Sequence, residues 1–174
     1  MEQYSVKHML QQQGNRKERV LVKGLKYAVI LGIAVYVGFL LHYVGGSDQK
    51  FSKVREEMEQ VVDTRRLKNA GEQGLKRYYG LNGTDYEGVL CYVATTSMSA
   101  QELLVIKVKE ESQVQEVETA IERRLADRKN DFAGYAPKQV ELLEHAEISI
   151  RGTYIFLAVS PKASGYRDTF SKSL

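Results

Sequence analysis

The longest apolar stretch of the chain runs from Tyr27 to Val44, eighteen residues without a formal charge. At about 1.5 Å of rise per residue, a helix of this length would cover roughly 27 Å, close to the hydrocarbon thickness of a bilayer. Tyr27 and Tyr43 lie where interfacial aromatic side chains are expected. The pattern predicts a single transmembrane helix over 27–44.

Two alternatives compete with this interpretation. A buried core helix normally keeps one polar face, whereas this segment is apolar on all sides until His42. A cleaved signal peptide also begins with a basic region and continues with an apolar one. The basic region here is long, however, and no small-x-small cleavage site follows Val44, so the sequence favours a retained anchor and leaves cleavage as the alternative.

Positive charge is concentrated before the apolar segment. Residues 1–26 carry six Lys and Arg against two acids, whereas residues 47–174 carry nineteen against twenty. The positive-inside rule therefore predicts that 1–26 is a cytoplasmic basic tail and that the C-terminal part is extracytoplasmic, in a single-pass protein of the cell membrane. The net charge of +3 gives no indication of nucleic-acid binding.

Residues 45–66 are predicted to form a juxtamembrane linker and a helix. Apolar residues at Phe51, Val54, Met58 and Val61 have spacings of three, four and three, which is the pattern of a coiled-coil seam. Two heptads are too few for a stable seam in water. The sequence therefore favours an amphipathic helix that docks on its own domain, with the seam as the alternative.

Residues 67–174 are predicted to form an extracytoplasmic α+β domain. Its predicted elements, in chain order, are a helix over 67–79 ended by Gly80, strands over 86–95 and 102–109, a helix capped by Ser112 and Gln115, a helix opened by Pro137, strands over 147–151 and 153–160 joined at Gly152, and a last helix with Tyr166 and Phe170. Hairpins separated by helices indicate an antiparallel four-stranded sheet with helices packed on one face.

The stretch from Leu75 to Leu174 resembles an uncharacterised family of membrane-anchored domains of unknown function from low-GC Gram-positive bacteria. The resemblance is carried by Tyr78-Tyr-Gly-Leu81, by Ile106-Lys-Val-Lys109 with Ser112-Gln-Val114 and the long helix to Arg128, by Phe132-Ala-Gly-Tyr-Ala-Pro137 with Glu141-Leu-Leu-Glu144, and by Gly152-Thr-Tyr-Ile-Phe-Leu-Ala-Val-Ser160. It implies an anchored or exported domain that follows a hydrophobic segment. It implies no activity, cofactor or catalytic residue.

The sequence shows little catalytic or metal-binding chemistry. Glu144 and His145 are adjacent, and adjacent helical residues point about 100° apart, so the glutamate is poorly placed to orient the histidine as a base. Cys91, the one cysteine, is interpreted as a small core side chain. We assign no catalytic, cofactor-binding or metal-binding residue, and expect Tyr79, Tyr86 and Tyr135 to be candidates for a partner surface.

Two functions remain open at this stage. The first is a non-catalytic binding or scaffolding module of the bacterial cell envelope, whose partners are the lipid bilayer and an unidentified envelope protein or component. The alternative is an envelope enzyme that uses His145 as acid or base. A pocket that gathers His145 and carboxylates would favour the enzyme.

Self-association through the apolar segment is a further hypothesis. Ala28 and Gly32, and again Ala34 and Gly38, are small residues four apart, a spacing that lets helices approach closely in lipid. The seam that begins at Phe51 would extend the contact. The sequence thus allows a homodimer.

Overall fold

The computed structural model describes residues 26–37 and 49–174. The chain divides into two units, residues 1–45 and 46–174, and each is described by itself. The predicted basic tail, apart from Lys26, and the start of the predicted linker lie outside the described residues.

In the first unit, residues 26–37 form helix α1. Its large apolar side chains are exposed, from 44% at Val37 to 71% at Tyr27. Across the ranges 26–37 and 49–174, no helix is both long enough and apolar enough to cross a membrane. The prediction of a transmembrane helix over 27–44 is therefore wrong, and its residues 38–44 lie outside the described ranges.

The second unit is built on one antiparallel sheet with the strand order β1-β2-β3-β5-β4. Its elements, in chain order, are α2 (Phe51–Val61), β1 (Leu67–Asn69), α3 (Gly71–Tyr79), β2 (Gly88–Ala94), β3 (Glu102–Lys107), α4 (Val114–Phe132), α5 (Pro137–Glu144), β4 (Glu147–Arg151), β5 (Tyr154–Val159) and α6 (Ala163–Ser173). The four predicted strands are present, within two residues at each end.

The sheet has five strands, so the prediction of four is wrong. The additional strand is β1, which pairs antiparallel with the end of β2 and was predicted to open a helix over 67–79. Asn69 Oδ1 accepts a hydrogen bond from the Gly71 amide at 2.9 Å, and Gly71 has φ +54°. This turn separates β1 from α3, because a left-handed glycine with an Asn two residues earlier is turn chemistry rather than helix interior.

Helices cover both faces of the sheet, so the prediction of one covered face is also wrong. Alternate strand residues point to opposite faces. One face carries Leu104 and Ile106 against α3, α4 and α5, and the other carries Leu103 and Val105 against α2 and α6. The continuous apolar runs of β3 and β5 have this physical cause, since a strand buried on both faces has no polar side.

Helix α2 belongs to the core of its own domain. Phe51, Val54 and Met58 are buried, and the Phe51 ring lies where a Cβ at Gly88 would overlap it. Arg55 Nη2 donates to the Val89 carbonyl at 2.9 Å. The interpretation of this segment as an amphipathic helix that docks on its own domain is therefore confirmed, and the alternative of a coiled-coil seam is not needed to explain its apolar residues.

Two of the predicted helix termini are confirmed. Gly80 ends α3 at φ +75° and Pro137 opens α5, both as predicted. The capping box before α4 lies two residues earlier than predicted. It pairs Glu110 with Gln113 and encloses a 3₁₀ turn over Glu111–Gln113, and α4 begins only after that turn.

Candidate functional site

A cleft of about 310 Å³ lies at the end of the sheet where β2 leads into β3. We call it the β2–β3 loop cleft, because the connecting loop over 95–101 forms one wall. The rest of the lining comes from the end of β2 (Val93 and Ala94) and from β1, α3, α4 and the first residue of β3: Lys68, Arg77, Tyr78, Glu102, Arg124 and Arg128. Four separate elements therefore supply its charged groups.

Cations dominate this lining. Lys68, Arg77, Arg124 and Arg128 line the cleft together with a single acid, Glu102. The domain around it is close to neutral, since residues 47–174 hold nineteen Lys and Arg against twenty acids. The positive charge of the cleft is therefore a local concentration, of the kind that attracts anions.

The four cations differ in what they contact. Arg124 donates twice to Glu102 Oε2, at 3.1 and 3.2 Å, and Arg128 pairs with Asp131 at 3.1 Å. Lys68 and Arg77 are exposed and make no ion pair with any described residue. Their positive charges are therefore not neutralised by an acid of the described residues, and both are available to a ligand.

Aromatic contacts hold the guanidinium groups near the cleft. The guanidinium carbons of Arg77 and Arg124 lie 5.5 and 5.0 Å from the centre of the Tyr78 ring. That of Arg128 lies 4.4 Å from the Phe132 ring. Cation–π contacts orient a guanidinium and leave its edge N–H groups available. Tyr78 thus positions two of the cleft's cations.

The floor of the cleft holds an incompletely satisfied polar group. Glu102 is 1% exposed, and burial raises its pKa against the opposing effect of Arg124. Its Oε1 and the hydroxyl of the neighbouring Tyr79 are both buried, and neither makes a well-formed hydrogen bond with any other group of the described residues. Burial and the Glu102 charge raise the pKa of Tyr79 well above its ordinary value. Tyr79 is therefore a neutral phenol beside a carboxylate that Arg124 keeps paired.

The loop wall is fixed by the helices behind it. Arg128 Nη2 donates to the Ser99 carbonyl at 3.1 Å, and the Ala100 amide donates to Gln139 Oε1 at 2.8 Å. The loop tip carries Met98, which is 64% exposed. These hydrogen bonds hold the loop that forms one wall of the cleft in a defined position.

A second cleft of about 470 Å³ adjoins the first, because Gln101 lines both. It holds Arg65, Arg66 and Lys162, and all three lie within 4.0 Å of one Asp63 carboxylate. Three cations share one acid here, so this cleft extends the positive charge along the same end of the sheet.

The structure separates the residues that the sequence singled out. Tyr79 and Tyr86 are buried, and Tyr135 is 58% exposed, so exposure favours Tyr135 alone as a contact residue. His145 is exposed at the end of α5, where its Nδ1 lies 2.8 Å from the Glu141 carbonyl oxygen. It lines neither cleft. Within the described ranges no group of His, Cys, Asp and Glu is arranged to hold a metal ion.

Cys91 is a fully buried member of the core, as predicted. Burial and the nearby Glu102 raise the pKa of its thiol to about 12. A thiol of that pKa is almost entirely protonated at pH 8, whereas a free thiol of pKa ~8.5 is partly ionised there. We therefore expect a thiol reagent to label Cys91 at pH 8 only when the domain unfolds. The labelling rate should rise with urea in step with loss of circular dichroism, and rapid labelling without urea would contradict the burial.

The cations of the cleft were not found from the sequence, because no contiguous motif contains them. Two signals were present. Arg124 and Arg128 are four apart and so share one face of α4. Glu102 has the same parity as Leu104 and Ile106, which places a carboxylate on a buried face of β3. A charged residue at a core position indicates a site to examine.

Comparison with known proteins identifies the family. Residues 60–160 match the family described as Domain of unknown function (DUF4358). The match spans more than half of the chain, which therefore belongs to this family, and the predicted resemblance to a domain of unknown function is confirmed. The matched range contains all five strands and the β2–β3 loop cleft. No curated protein and no solved structure matches the chain.

Proposed function

We propose that this member of the DUF4358 family is a non-catalytic binding module that holds an anionic group of its partner in the β2–β3 loop cleft. One observation carries the proposal: four cations line the cleft with one acid, and that acid is already paired with Arg124. Oxyanions such as phosphate and carboxylate are the groups that guanidinium and ammonium donors bind.

Lys68 and Arg77 are the contact residues in this proposal, because both are exposed and neither pairs with an acid among the described residues. Arg124 has two of its N–H groups bonded to Glu102 and neutralises that carboxylate, so the charges of Lys68 and Arg77 are not opposed by an unpaired acid of the cleft lining. The Thr95, Thr96 and Ser97 side chains in the loop wall add neutral donors. A binding site of this kind needs neither a metal nor a nucleophile.

An extracytoplasmic location and a cell-envelope partner stay predictions, as does the alternative of an enzyme that uses His145. The geometry gives that alternative less support, because His145 is exposed on α5 and lies outside both clefts.

The proposal is tested by titrating the full chain with pyrophosphate and, separately, with citrate, and following binding by calorimetry in about 0.1 M salt. The double variant Lys68→Ala/Arg77→Ala removes two charge-assisted contacts and is expected to bind at least about tenfold more weakly. Pyrophosphate binding alone would assign the cleft to phosphate groups, and citrate binding alone would assign it to carboxylates.

The matched control is Lys53→Ala/Lys172→Ala. It also removes two positive charges, but from exposed positions on α2 and α6, on the other face of the sheet. It should bind like the parent, within about twofold. Equal losses in both double variants would show a non-specific effect of net charge and would defeat the proposal. So would the absence of binding by either anion.

A further inference from the structure

Strand β4 presents an open edge of the sheet. It is the last strand in the order β1-β2-β3-β5-β4, and it pairs residue for residue with β5 without a bulge. Its sequence is Glu-Ile-Ser-Ile-Arg, with no proline to block pairing. Ile148 and Ile150 are 39% and 36% exposed, although they lie on the face that α4 and α5 cover elsewhere. An edge of this kind is a template for another strand.

The hairpin fixes which backbone groups of β4 point outward. Arg151 and Tyr154 are partners across the two-residue turn of Gly152 and Thr153, and the pair that closes such a turn is hydrogen-bonded. Hydrogen-bonded and non-bonded pairs alternate along an antiparallel ladder. Glu147, Ser149 and Arg151 therefore bond to β5, and the N–H and C=O groups of Ile148 and Ile150 point away from the sheet.

The geometry points to a second copy of this chain as the occupant of the edge: we propose an antiparallel β4–β4 dimer with its two-fold axis at Ser149. In that register Ile148 of one copy lies opposite Ile150 of the other, so the outward N–H and C=O groups of both form hydrogen-bonded pairs. Ser149 meets Ser149 in a non-bonded position, because its own N–H and C=O groups point to β5.

The side chains match in the same register. Glu147 lies across from Arg151 of the second copy on the α6 face, and opposite charges directly across a strand pair are stabilising. The Glu147 carboxylate is held on that face by Arg167, at 2.9 Å, which lies on α6. On the opposite face, the four isoleucines of the two copies form one apolar row. The strand is complementary to itself in charge, in apolar contact and in hydrogen bonding, as a two-fold interface must be.

The contact joins two five-stranded sheets into one of ten strands, through a single short strand from each copy. Such an interface is small, so the dimer is expected to dissociate on dilution. It uses neither cleft, and it is independent of the proposed anion binding.

The test is sedimentation of the full chain from about 10 µM to about 1 mM, with charge-swap variants. Glu147→Arg places two arginines across from each other, and Arg151→Glu places two glutamates, so each variant alone is expected to associate at least about tenfold more weakly than the parent. A 1:1 mixture of the two restores both opposite-charge pairs and is expected to form a heterodimer. Restored association in the mixture excludes damage to the fold as the cause of the loss.

Hydrogen exchange gives a second, local measurement. The amides of Ile148 and Ile150 are expected to exchange more slowly as the parent concentration rises, while that of Ser149, already bonded to β5, changes less. A parent that stays monomeric at about 1 mM would overturn the proposal. Association that is equally strong in the parent and in both charge variants would also overturn it. That result would assign association to other residues, such as the exposed apolar residues of α1.

Discussion

A chain shortened to residues 67–174 is expected to lose cooperative unfolding, although it retains all five strands. The loss removes α2, whose Phe51, Val54 and Met58 are buried against one face of the sheet. Burial of each such side chain contributes about 1.5–3 kcal/mol. The three side chains together contribute about 4.5–9 kcal/mol, which is comparable with the ~5–15 kcal/mol net stability of a typical domain. Thermal melts by circular dichroism check the result, and a chain of residues 46–174, which keeps α2, should melt cooperatively.

A single substitution separates the packing of α2 from the length of the chain. Val54→Asp places an unpaired carboxylate where no side-chain surface reaches water, and we expect it to unfold most of the protein at 25 °C. Val61→Asp makes the same chemical change at a position of the same helix that is 39% exposed, and should cost less than about 1 kcal/mol. A cooperative melt for the 67–174 chain, or similar melts for both variants, would show that α2 is dispensable and would support the domain boundary predicted at residue 67.

The strands β2, β3 and β5 could be predicted because each is a short apolar run bounded by turn residues, and β4 could be predicted because Ile148 and Ile150 alternate with polar residues. The layers on either side could not be assigned in the same way. The runs Leu103–Ile106 and Ile155–Val159 are apolar at every position, and a hairpin order favours one covered face by analogy with common antiparallel sheets. Two-sided burial is the better explanation of those runs, and it requires helices on both faces, including α2.

Strand β1 was not predicted because it is short and two of its three residues are polar. Of its three residues only Leu67 is buried, and Lys68 and Asn69 are exposed. Its position is decided by pairing with Tyr92 to Ala94, which is a contact between distant parts of the sequence. The turn at Asn69 and Gly71 was the local signal that a helix from residue 67 could not be continuous.

The site was less predictable than the fold. Tyrosines were candidates on the residue type alone, and burial then removed Tyr79 and Tyr86 from the surface. The cleft is assembled from cations on different elements, so its charge arises only when the sheet forms. Lys68 in particular reaches the cleft because it belongs to β1, the strand that the sequence did not reveal.

Arg124→Met is expected to lower the free energy of unfolding at pH 7 by about 3–5 kcal/mol, because it leaves the Glu102 carboxylate buried without its cation. The loss should depend on pH. Burial already raises the pKa of Glu102, and removing Arg124 removes the main opposing effect. Between the unfolded pKa of about 4.3 and this raised folded value, the native state binds the extra proton. Stability therefore falls as pH rises through that window, and the deficit of the variant should shrink from pH 7 to pH 5.

Urea denaturation at the two pH values measures this effect, and two further variants fix its cause. Glu102→Leu/Arg124→Met removes both charges at a position whose strand partners are Val93 and Val159, and should recover most of the loss, because an apolar pair of similar size can replace a buried ion pair. Arg65→Met, at a side chain that is 92% exposed, should cost less than about 1 kcal/mol. A double variant as unstable as Arg124→Met alone would mean that Arg124 acts through its contacts with Tyr78 and Tyr79, and that the charge of Glu102 is not the source of the loss.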